Sequence, residues 1–377
     1  MIDNQPKESK RIFGLDFMRA IPILVVLLTH TLWIYPKNNG LISQLLSVFG
    51  FLSVEVFFVL SGFLIGKILF NMFVNEPDFS FHKVLYFLKR RWFRTLPNYY
   101  LVLFLNILLS SVIGFTFVDL WKYFFFLQNF SSAMSFFFPE SWSIAIEEFA
   151  YLLFPILLLL IFKVRKDKNK SRLFFQFNLL LILIIILLKV IYNNFTTNTN
   201  LTEWNISLKG VVLFRLDAIF IGILFSWLYM NYETFWIKKR FLLASIGFCL
   251  MTIMFIGVGF FQILIENYPF FWNVLYLPIT SVAIACFLPL LSCWETAPKY
   301  IKKPITFISK ISYSIYLLHY SIILQLMKYL FDTSSLNQNQ LHLFMISYLT
   351  ITFFMSWILY NFYEKPMMNK RDKIRIK

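Results

Sequence analysis

Runs of about 20 apolar residues recur along the whole chain and alternate with short polar segments. Ten of these runs are long enough to cross a hydrocarbon core of about 30 Å as α-helices. They cover residues 13–35, 43–73, 96–115, 143–163, 173–192, 209–230, 241–261, 272–293, 311–330 and 341–363. The pattern predicts an all-α integral membrane protein with ten transmembrane helices.

One further apolar stretch does not fit this count. Residues 117–138 contain a hydrophobic piece that is short and interrupted by polar side chains. Counting it as a span would move the basic segment 163–172 to the outside of the membrane, against the positive-inside rule. We therefore predict a re-entrant or interfacial segment on the external side of the membrane.

The distribution of basic residues predicts the orientation of the chain. Most of the 35 Lys and Arg residues fall in alternate loops, which the positive-inside rule assigns to the cytoplasm. Both termini are then cytoplasmic, with a tail at 1–12, a ten-helix domain at 13–366 and a basic tail at 367–377. The net charge of +16 follows from this topology, so we do not expect nucleic acid as a partner.

Composition agrees with the membrane class. The chain is 59% hydrophobic and 20% aromatic, with only 14% charged residues, outside the range of soluble domains. Its cysteines, Cys249, Cys286 and Cys293, lie in or at the ends of apolar stretches without the spacing of a metal or redox site. We predict free thiols and no bound metal.

Ionisable residues within the spans are the candidate functional residues, because a charge in the bilayer is costly and usually faces protein or water. Arg19 and His30 on the first span are the clearest case. An α-helix brings them to within about 20° of one another on one face, separated by roughly 16 Å along the axis. Together they predict a polar track through the membrane.

The predicted topology assigns a depth to each of the other candidates. Those expected at the external side with His30 are Glu147, Glu148, Arg215 and Asp217. Those expected at the cytoplasmic side with Arg19 are Asp16, Arg91 and Arg94. Glu55 and His319 are expected nearer the middle.

Structural roles explain several of these candidates equally well. Arg215 and Asp217 can neutralise each other or a neighbouring span, and Glu55 can pair with a cation for the same reason. Arg91 and Arg94 belong to a basic segment that suits contact with anionic lipid headgroups. These alternatives stay open from the sequence.

The histidines suggest chemistry. His319 fits a buried core histidine, but His30 lies at the depth of two carboxylates that could orient it as a general base for a hydroxyl. A guanidinium on the cytoplasmic side suits the phosphates of a donor. The separation of about 16 Å between Arg19 and His30 matches the reach of an extended pantetheine arm.

Seven short motifs follow one another along the chain in order. They are Arg19-x10-His30 within LDFMRAIPILVVLLTH, FFVLSGFLIG at 57–66, Arg91-x-x-Arg94, SWSIAIEEFAY at 141–151, FRLDAIFIG at 214–222, ISYSIYLLH at 311–319 and YEKP at 363–366. Together they resemble the membrane-bound acyltransferase family 3, whose members O-acylate cell-surface carbohydrates and some other acceptors. The resemblance covers about residues 12–366.

The resemblance implies transfer of an acyl group, usually acetyl, from a cytoplasmic acyl-CoA to a hydroxyl at the outer face. The catalytic residues that it implies are His30, Arg19 and Glu147. The donor-binding residues that it implies are Arg91, Arg94, Ser143, Tyr316 and His319. The residues expected to support the site are Asp16, Glu55, Trp142, Glu148, Arg215 and Asp217.

The chain departs from the family pattern at a few positions. Phe17 and Met18 stand in a motif that often reads LDGLRA, Glu55 stands where Asp is common, and Ile144 replaces Leu. Some relatives carry a periplasmic SGNH-type domain. Only about a dozen residues follow the last predicted span, so we expect the acceptor to meet the membrane domain directly or through a separate periplasmic partner protein.

The expected function is O-acetylation in a bacterial inner (plasma) membrane, with acetyl-CoA as co-substrate. The expected partners are acyl-CoA, a surface or lipid-linked carbohydrate and membrane lipids. Two alternatives stay open. One is a transporter or flippase of a glycan intermediate, since intramembrane charges also mark transport pathways. The other is an enzyme that transfers a different acyl group, such as succinyl.

Overall fold

The computed structural model describes residues 11–35, 40–114, 119–165, 169–196 and 200–373. Within these ranges ten helices are long and apolar enough to cross a membrane, and no β-strand occurs. They are α1 (Phe13–Ile34), α2 (Leu41–Asn75), α3 (Phe81–Ile113), α4 (Ser141–Arg165), α5 (Lys170–Phe195), α6 (Val212–Asn231), α7 (Arg240–Phe260), α8 (Phe271–Ser292), α9 (Lys299–Leu330) and α10 (Gln338–Arg371). The prediction of an all-α protein with ten spans is confirmed.

Three helices are longer than the apolar pattern indicates. α3 begins at Phe81 instead of 96, α9 begins at Lys299 instead of 311, and α10 continues past 366 into the predicted tail. Lys and Arg are good helix formers, so a helix continues where its hydrophobic part ends. Arg91 and Arg94 consequently lie one turn apart on a membrane helix instead of on a loop.

The helices α2 and α6 pack backbone to backbone. A Cβ atom added to Gly62 of α2 would lie 2.0 Å from the carbonyl oxygen of Ile219, and one added to Gly222 of α6 would lie 2.2 Å from that of Val59. No side chain fits at such distances, so glycine is required at both positions. Small residues allow this close approach between membrane helices.

The helix α1 packs against α2 and α9. Asp16 of α1 accepts a hydrogen bond from Ser309 of α9, and Ile23 is buried against Ile315 further along. The contacts advance together along both helices, so α1 and α9 run in the same direction. Successive spans cross the membrane in opposite directions, so the first and the ninth are expected to be parallel.

The segment between α3 and α4 does not cross the bundle. The hydroxyls of Tyr99 and Tyr100 on α3 donate to the carbonyls of Tyr123 and Phe124 at 2.8 Å. Tyr99 lies 14 residues before the end of α3, which is about 21 Å along a helix. The segment therefore folds back along α3, as predicted for a re-entrant segment, although residues 117 and 118 lie outside the described ranges.

Candidate active site

A cavity of about 140 Å³ lies among α1, α2, α3, α4 and α9. Three guanidinium groups line it, those of Arg19 on α1 and of Arg91 and Arg94 on α3. The last two are three residues apart and share one helix face. Other polar residues of the lining are Ser61, Thr95, Ser143, Glu147, Tyr151, Ser312, Tyr313 and Tyr316.

The guanidinium of Arg19 faces the cavity because its neighbouring carboxylate has other partners. Asp16 Oδ1 lies 3.8 Å from Arg19, but the Asp16 carboxylate accepts bonds of 2.5 and 3.0 Å from Arg11 and one of 2.9 Å from Ser309. These bonds tie the start of α1 to α9. Nothing in the sequence distinguishes Arg11, because it belongs to a basic flank that resembles any cytoplasmic segment.

The other two arginines of the cavity lack a salt bridge among the described residues. In the described part of the chain, neither Arg91 nor Arg94 forms an ion pair with a carboxylate. The carboxylate of Glu147 accepts a 2.9 Å bond from the Tyr151 hydroxyl, which also bonds Ser61. The cavity therefore presents three cations against one carboxylate, an arrangement that suits a polyanionic ligand.

The cavity reaches a pair of hydroxyl groups on facing helices. Ser143 Oγ on α4 and Tyr316 Oη on α9 are 2.7 Å apart, and both residues line the cavity. His30 is not among the lining residues. Of the two residues on the predicted track, Arg19 therefore faces this cavity and His30 does not. The track itself stays a prediction.

The histidines of α1 and α9 form a pair, although different roles are expected for them from the sequence. His30 Nδ1 and His319 Nε2 are 2.6 Å apart, and the ring planes differ by only 10°. The ring centroids lie 4.7 Å apart, which fits an edge-to-edge hydrogen bond. His319 was expected with the donor and Glu147 with His30. The structure instead places His319 against His30 and Glu147 against Tyr151.

Backbone carbonyls determine the proton positions in this pair. His319 Nδ1 lies 2.8 Å from the carbonyl of Tyr316 and 3.1 Å from that of Ile315, and a carbonyl can only accept. In neutral His319 the proton is therefore on Nδ1, and Nε2 accepts a bond from His30 Nδ1. Neutral His30 then has an unprotonated Nε2, the atom that a general base needs.

Two predicted supporting residues pack around the cavity without lining it. Glu148 is buried and accepts a 2.6 Å bond from Thr95 of α3. The Trp142 ring meets the Phe58 ring edge to face, with 5.8 Å between centroids. Phe58 in turn lines the cavity. Both residues therefore stabilise the cavity wall.

The remaining predicted residues form a separate buried cluster between α2, α5 and α6. Arg215 donates to both carboxylate oxygens of Glu55 and lies 3.4 Å from Asp217. Lys189 of α5 completes it, with Nζ 2.5 Å from Asp217 Oδ2. All four side chains are at most 1% exposed. The role of Lys189 is not predictable from the sequence, because its partner lies on another helix.

Comparison with protein families assigns the chain to a family. The profile of a family described as "Acyltransferase domain" matches residues 12–361. This chain belongs to that acyltransferase family. The match covers all ten helices apart from the end of α10.

Curated relatives in this acyltransferase family come from bacteria. The chain is 27% identical to the O-acetyltransferase OatA of Staphylococcus aureus, over 96% of the chain and 58% of the relative. It is 26% identical to the putative peptidoglycan O-acetyltransferase YrhL of Bacillus subtilis, over 85% of the chain and 50% of the relative. The chain thus spans about half to three-fifths of the length of these relatives. No solved structure matches it significantly.

Proposed function

We propose that this protein is a membrane O-acetyltransferase that moves an acetyl group from acetyl-CoA to a hydroxyl of a surface or lipid-linked glycan. One observation carries the proposal. A cavity lined by three arginines ends at Ser143 and Tyr316, one helical turn before a histidine pair whose outer ring nitrogen is unprotonated. Anion binding and a general base are the two requirements of acyl transfer from a phosphorylated thioester.

The arginines are proposed to hold the donor. The phosphates of acetyl-CoA would bind Arg91 and Arg94, with Arg19 between them and the reacting carbonyl. Guanidinium groups suit this role, because they bind phosphate oxygens in a bidentate fashion and stay charged. We place the thioester carbonyl beside Tyr316, whose hydroxyl can donate to its oxygen while it accepts the bond from Ser143.

The histidine pair is proposed to handle the proton. Nε2 of His30 takes the proton of the acceptor hydroxyl as the oxygen attacks the thioester carbonyl. The carbon–sulfur bond then breaks, and the same proton passes to the leaving thiolate of CoA. His319 holds the proton of His30 Nδ1 and links the positive charge formed on His30 to the carbonyls of Ile315 and Tyr316.

The predicted topology determines the sides of the membrane from which donor and acceptor would approach. We propose a multi-pass protein of the bacterial inner (plasma) membrane with the arginine end of the cavity toward the cytoplasm, where acyl-CoA occurs. The glycan then approaches His30 from the outer side, alone or delivered by a separate partner protein. The name of the relative YrhL makes peptidoglycan one candidate acceptor.

Ester-bound acetate on surface glycans tests the proposal without knowledge of the acceptor. Cells that express the chain should release more acetate from their glycans under mild base than cells that express His30→Ala. Loss of a general base should lower the transfer rate by about 10²–10⁴-fold. His342→Ala is the matched control, because His342 is an exposed histidine of α10 that pairs with Tyr35.

Purified protein in proteoliposomes identifies the donor and excludes the alternatives. Radiolabel from acetyl-CoA should enter peptidoglycan fragments or chito-oligosaccharides as an ester, and succinyl-CoA should compete poorly. Movement of unmodified glycan without ester formation would indicate a transporter. A His30→Ala protein that inserts normally and transfers at the wild-type rate would contradict the proposed mechanism.

A further inference from the structure

The histidine pair sits at an irregular turn of α9. Residues His319–Leu324 form a π-helical segment inside this helix. Other helices of the bundle contain such segments too, among them Ile253–Gly257 of α7 and Tyr360–Glu364 of α10. Each one redirects backbone groups locally. In a regular α-helix the N–H of Ser321 would point to the carbonyl of Leu317. Here it donates to a side chain outside α9.

That side chain is Glu140, directly before the first residue of α4. Its Oε1 accepts the Ser321 N–H at 2.6 Å. Three residues later along the chain, Ser143 Oγ bonds the hydroxyl of Tyr316 at 2.7 Å. The start of α4 therefore holds α9 at Tyr316 and at Ser321. His319 lies between these two points.

Glu140 is an unusual choice for a purely structural anchor. It is only 3% exposed, and its Oε2 has no hydrogen-bond partner within the described residues. Burial raises the pKa of the Glu140 carboxyl to about 7, while the Ser321 N–H opposes the rise. A buried carboxyl with one unpaired oxygen is costly, whereas a neutral side chain would accept a single N–H at a lower cost.

We propose that Glu140 is a positioning residue that holds the π-helical turn of α9 and thereby keeps His319 in register with His30. The inference rests on the proposed function. Rotation of the backbone at His319–Ser321 would lengthen the 2.6 Å contact between His319 Nε2 and His30 Nδ1. The proton of His30 could then occupy either nitrogen, so fewer molecules would present an unprotonated Nε2 to the acceptor.

The first test compares steady-state kinetics of Glu140→Gln and Glu140→Ala with the wild-type chain in proteoliposomes. We expect kcat to fall about tenfold in Glu140→Gln, which keeps an oxygen acceptor without the charge, and further in Glu140→Ala. KM for acetyl-CoA should not change, because Glu140 does not line the cavity. Thermal unfolding of each variant shows how much of the loss is due to unfolded protein.

Glu148→Gln is the matched control for a buried carboxylate. Glu148 also has one hydrogen bond, to Thr95, and its Oε2 likewise has no partner within the described ranges. A general destabilisation by loss of a buried carboxyl should affect both variants alike. Only in the Glu140 variants should the loss of kcat depend on whether His319 is also replaced.

A double-mutant cycle with His319→Gln shows whether Glu140 acts on the reaction by positioning His319 or only stabilises the packing of α9. If Glu140 acts through His319, Glu140→Gln should lower kcat by less than twofold when His319 is already replaced. The same tenfold loss in both backgrounds would overturn the inference, and so would an unchanged kcat in Glu140→Gln. Full activity of His30→Ala would instead contradict the proposed function, so the two failures are distinguishable.

Discussion

The membrane domain holds two groups of charged residues that differ in how the charges are satisfied. In the cluster of Glu55, Arg215, Asp217 and Lys189, each cation contacts a carboxylate and no side chain is more than 1% exposed. In the cavity, Arg19, Arg91 and Arg94 line the wall together with a single carboxylate, that of Glu147. The first group is closed and neutral, and the second is open and positive.

The difference shows that a charge in a membrane helix is not by itself a sign of chemistry. A paired charge replaces lost hydration by its partner, and nothing further is needed to explain it. A charge that faces a cavity without a partner keeps a binding capacity that a ligand can use. The two groups should therefore respond to mutation in different measurements, one in stability and the other in kinetics.

The largest expected effect is the loss of one partner in the closed cluster. Lys189→Met leaves the fully buried Asp217, among the described residues, with only the 3.4 Å contact to Arg215. We expect the free energy of unfolding to fall by about 3–5 kcal/mol. Denaturant unfolding in detergent measures it, and the folded fraction should keep its specific activity.

Two further variants sharpen this result. Adding Asp217→Asn to Lys189→Met restores the charge balance and should recover part of the lost stability. Lys122→Met removes an exposed ion pair of 2.6 Å with Asp119, and we expect a loss below about 1 kcal/mol. An equal loss of unfolding free energy in Lys189→Met and Lys122→Met would mean that burial does not make the charge pairs of the closed cluster more important for stability.

Hydropathy predicts the ten helices, because each span needs enough apolar residues to cross the bilayer. The direction of the spans stays a prediction from the basic loops. The partners of buried charges are not predictable in the same way. The contact of Lys189 with Asp217 joins residues 28 positions apart on two helices. The bond of Arg11 to Asp16 is local, but its arginine lies in a flank where any basic residue satisfies the topology.

The next largest effect concerns the open group. Arg94→Ala should raise KM for acetyl-CoA about 10–100-fold with little change in stability, because a charge-assisted bond to phosphate is lost and no salt bridge is broken. Arg90→Ala is the control, since Arg90 lies on the same helix with an exposed side chain beside Tyr86. A lower kcat at constant KM would contradict donor binding by Arg94.

A smaller effect is expected at the end of the cavity. Tyr316→Phe removes the hydroxyl bonded to Ser143 and should lower kcat about tenfold, the cost of one hydrogen bond to the reacting carbonyl. Tyr348→Phe is the control, because the Tyr348 hydroxyl is buried and lacks a partner within the described residues. Equal kcat values for the two variants would exclude a role of Tyr316 in the reaction.

The sequence motifs predict most of the polar residues that line the cavity, but they do not predict the contact between the two histidines. Arg91, Arg94, Ser143 and Tyr316 follow from the resemblance and line the cavity together. The contact between His30 and His319 depends on the rotation of α9 about its axis, which includes a π-helical turn. A periodicity of 3.6 residues does not describe such a turn, so neither this pair nor the bond of Glu140 to the turn is predictable from spacing.

The smallest effect is expected at Lys209, which lies between the two groups. Its Nζ is 4.2 Å from the centre of the Phe51 ring and 5.3 Å from that of Trp142. Burial lowers the pKa of Lys209 to about 7; Glu55 opposes the shift and Arg215 adds to it. The unfolded chain therefore binds a proton more tightly than the folded protein at this residue.

This difference has a defined sign. From about pH 7 up to the pKa of an unperturbed lysine near 10.4, the unfolded state holds the extra proton, so stability should rise with pH. In Lys209→Met this contribution is absent, and the midpoint of thermal unfolding should depend less on pH over the same range. An equal pH dependence in both proteins would mean that Lys209 stays charged in the folded state. Its contacts with Phe51 and Trp142 would then act as cation–π interactions that tie the closed cluster to the cavity wall.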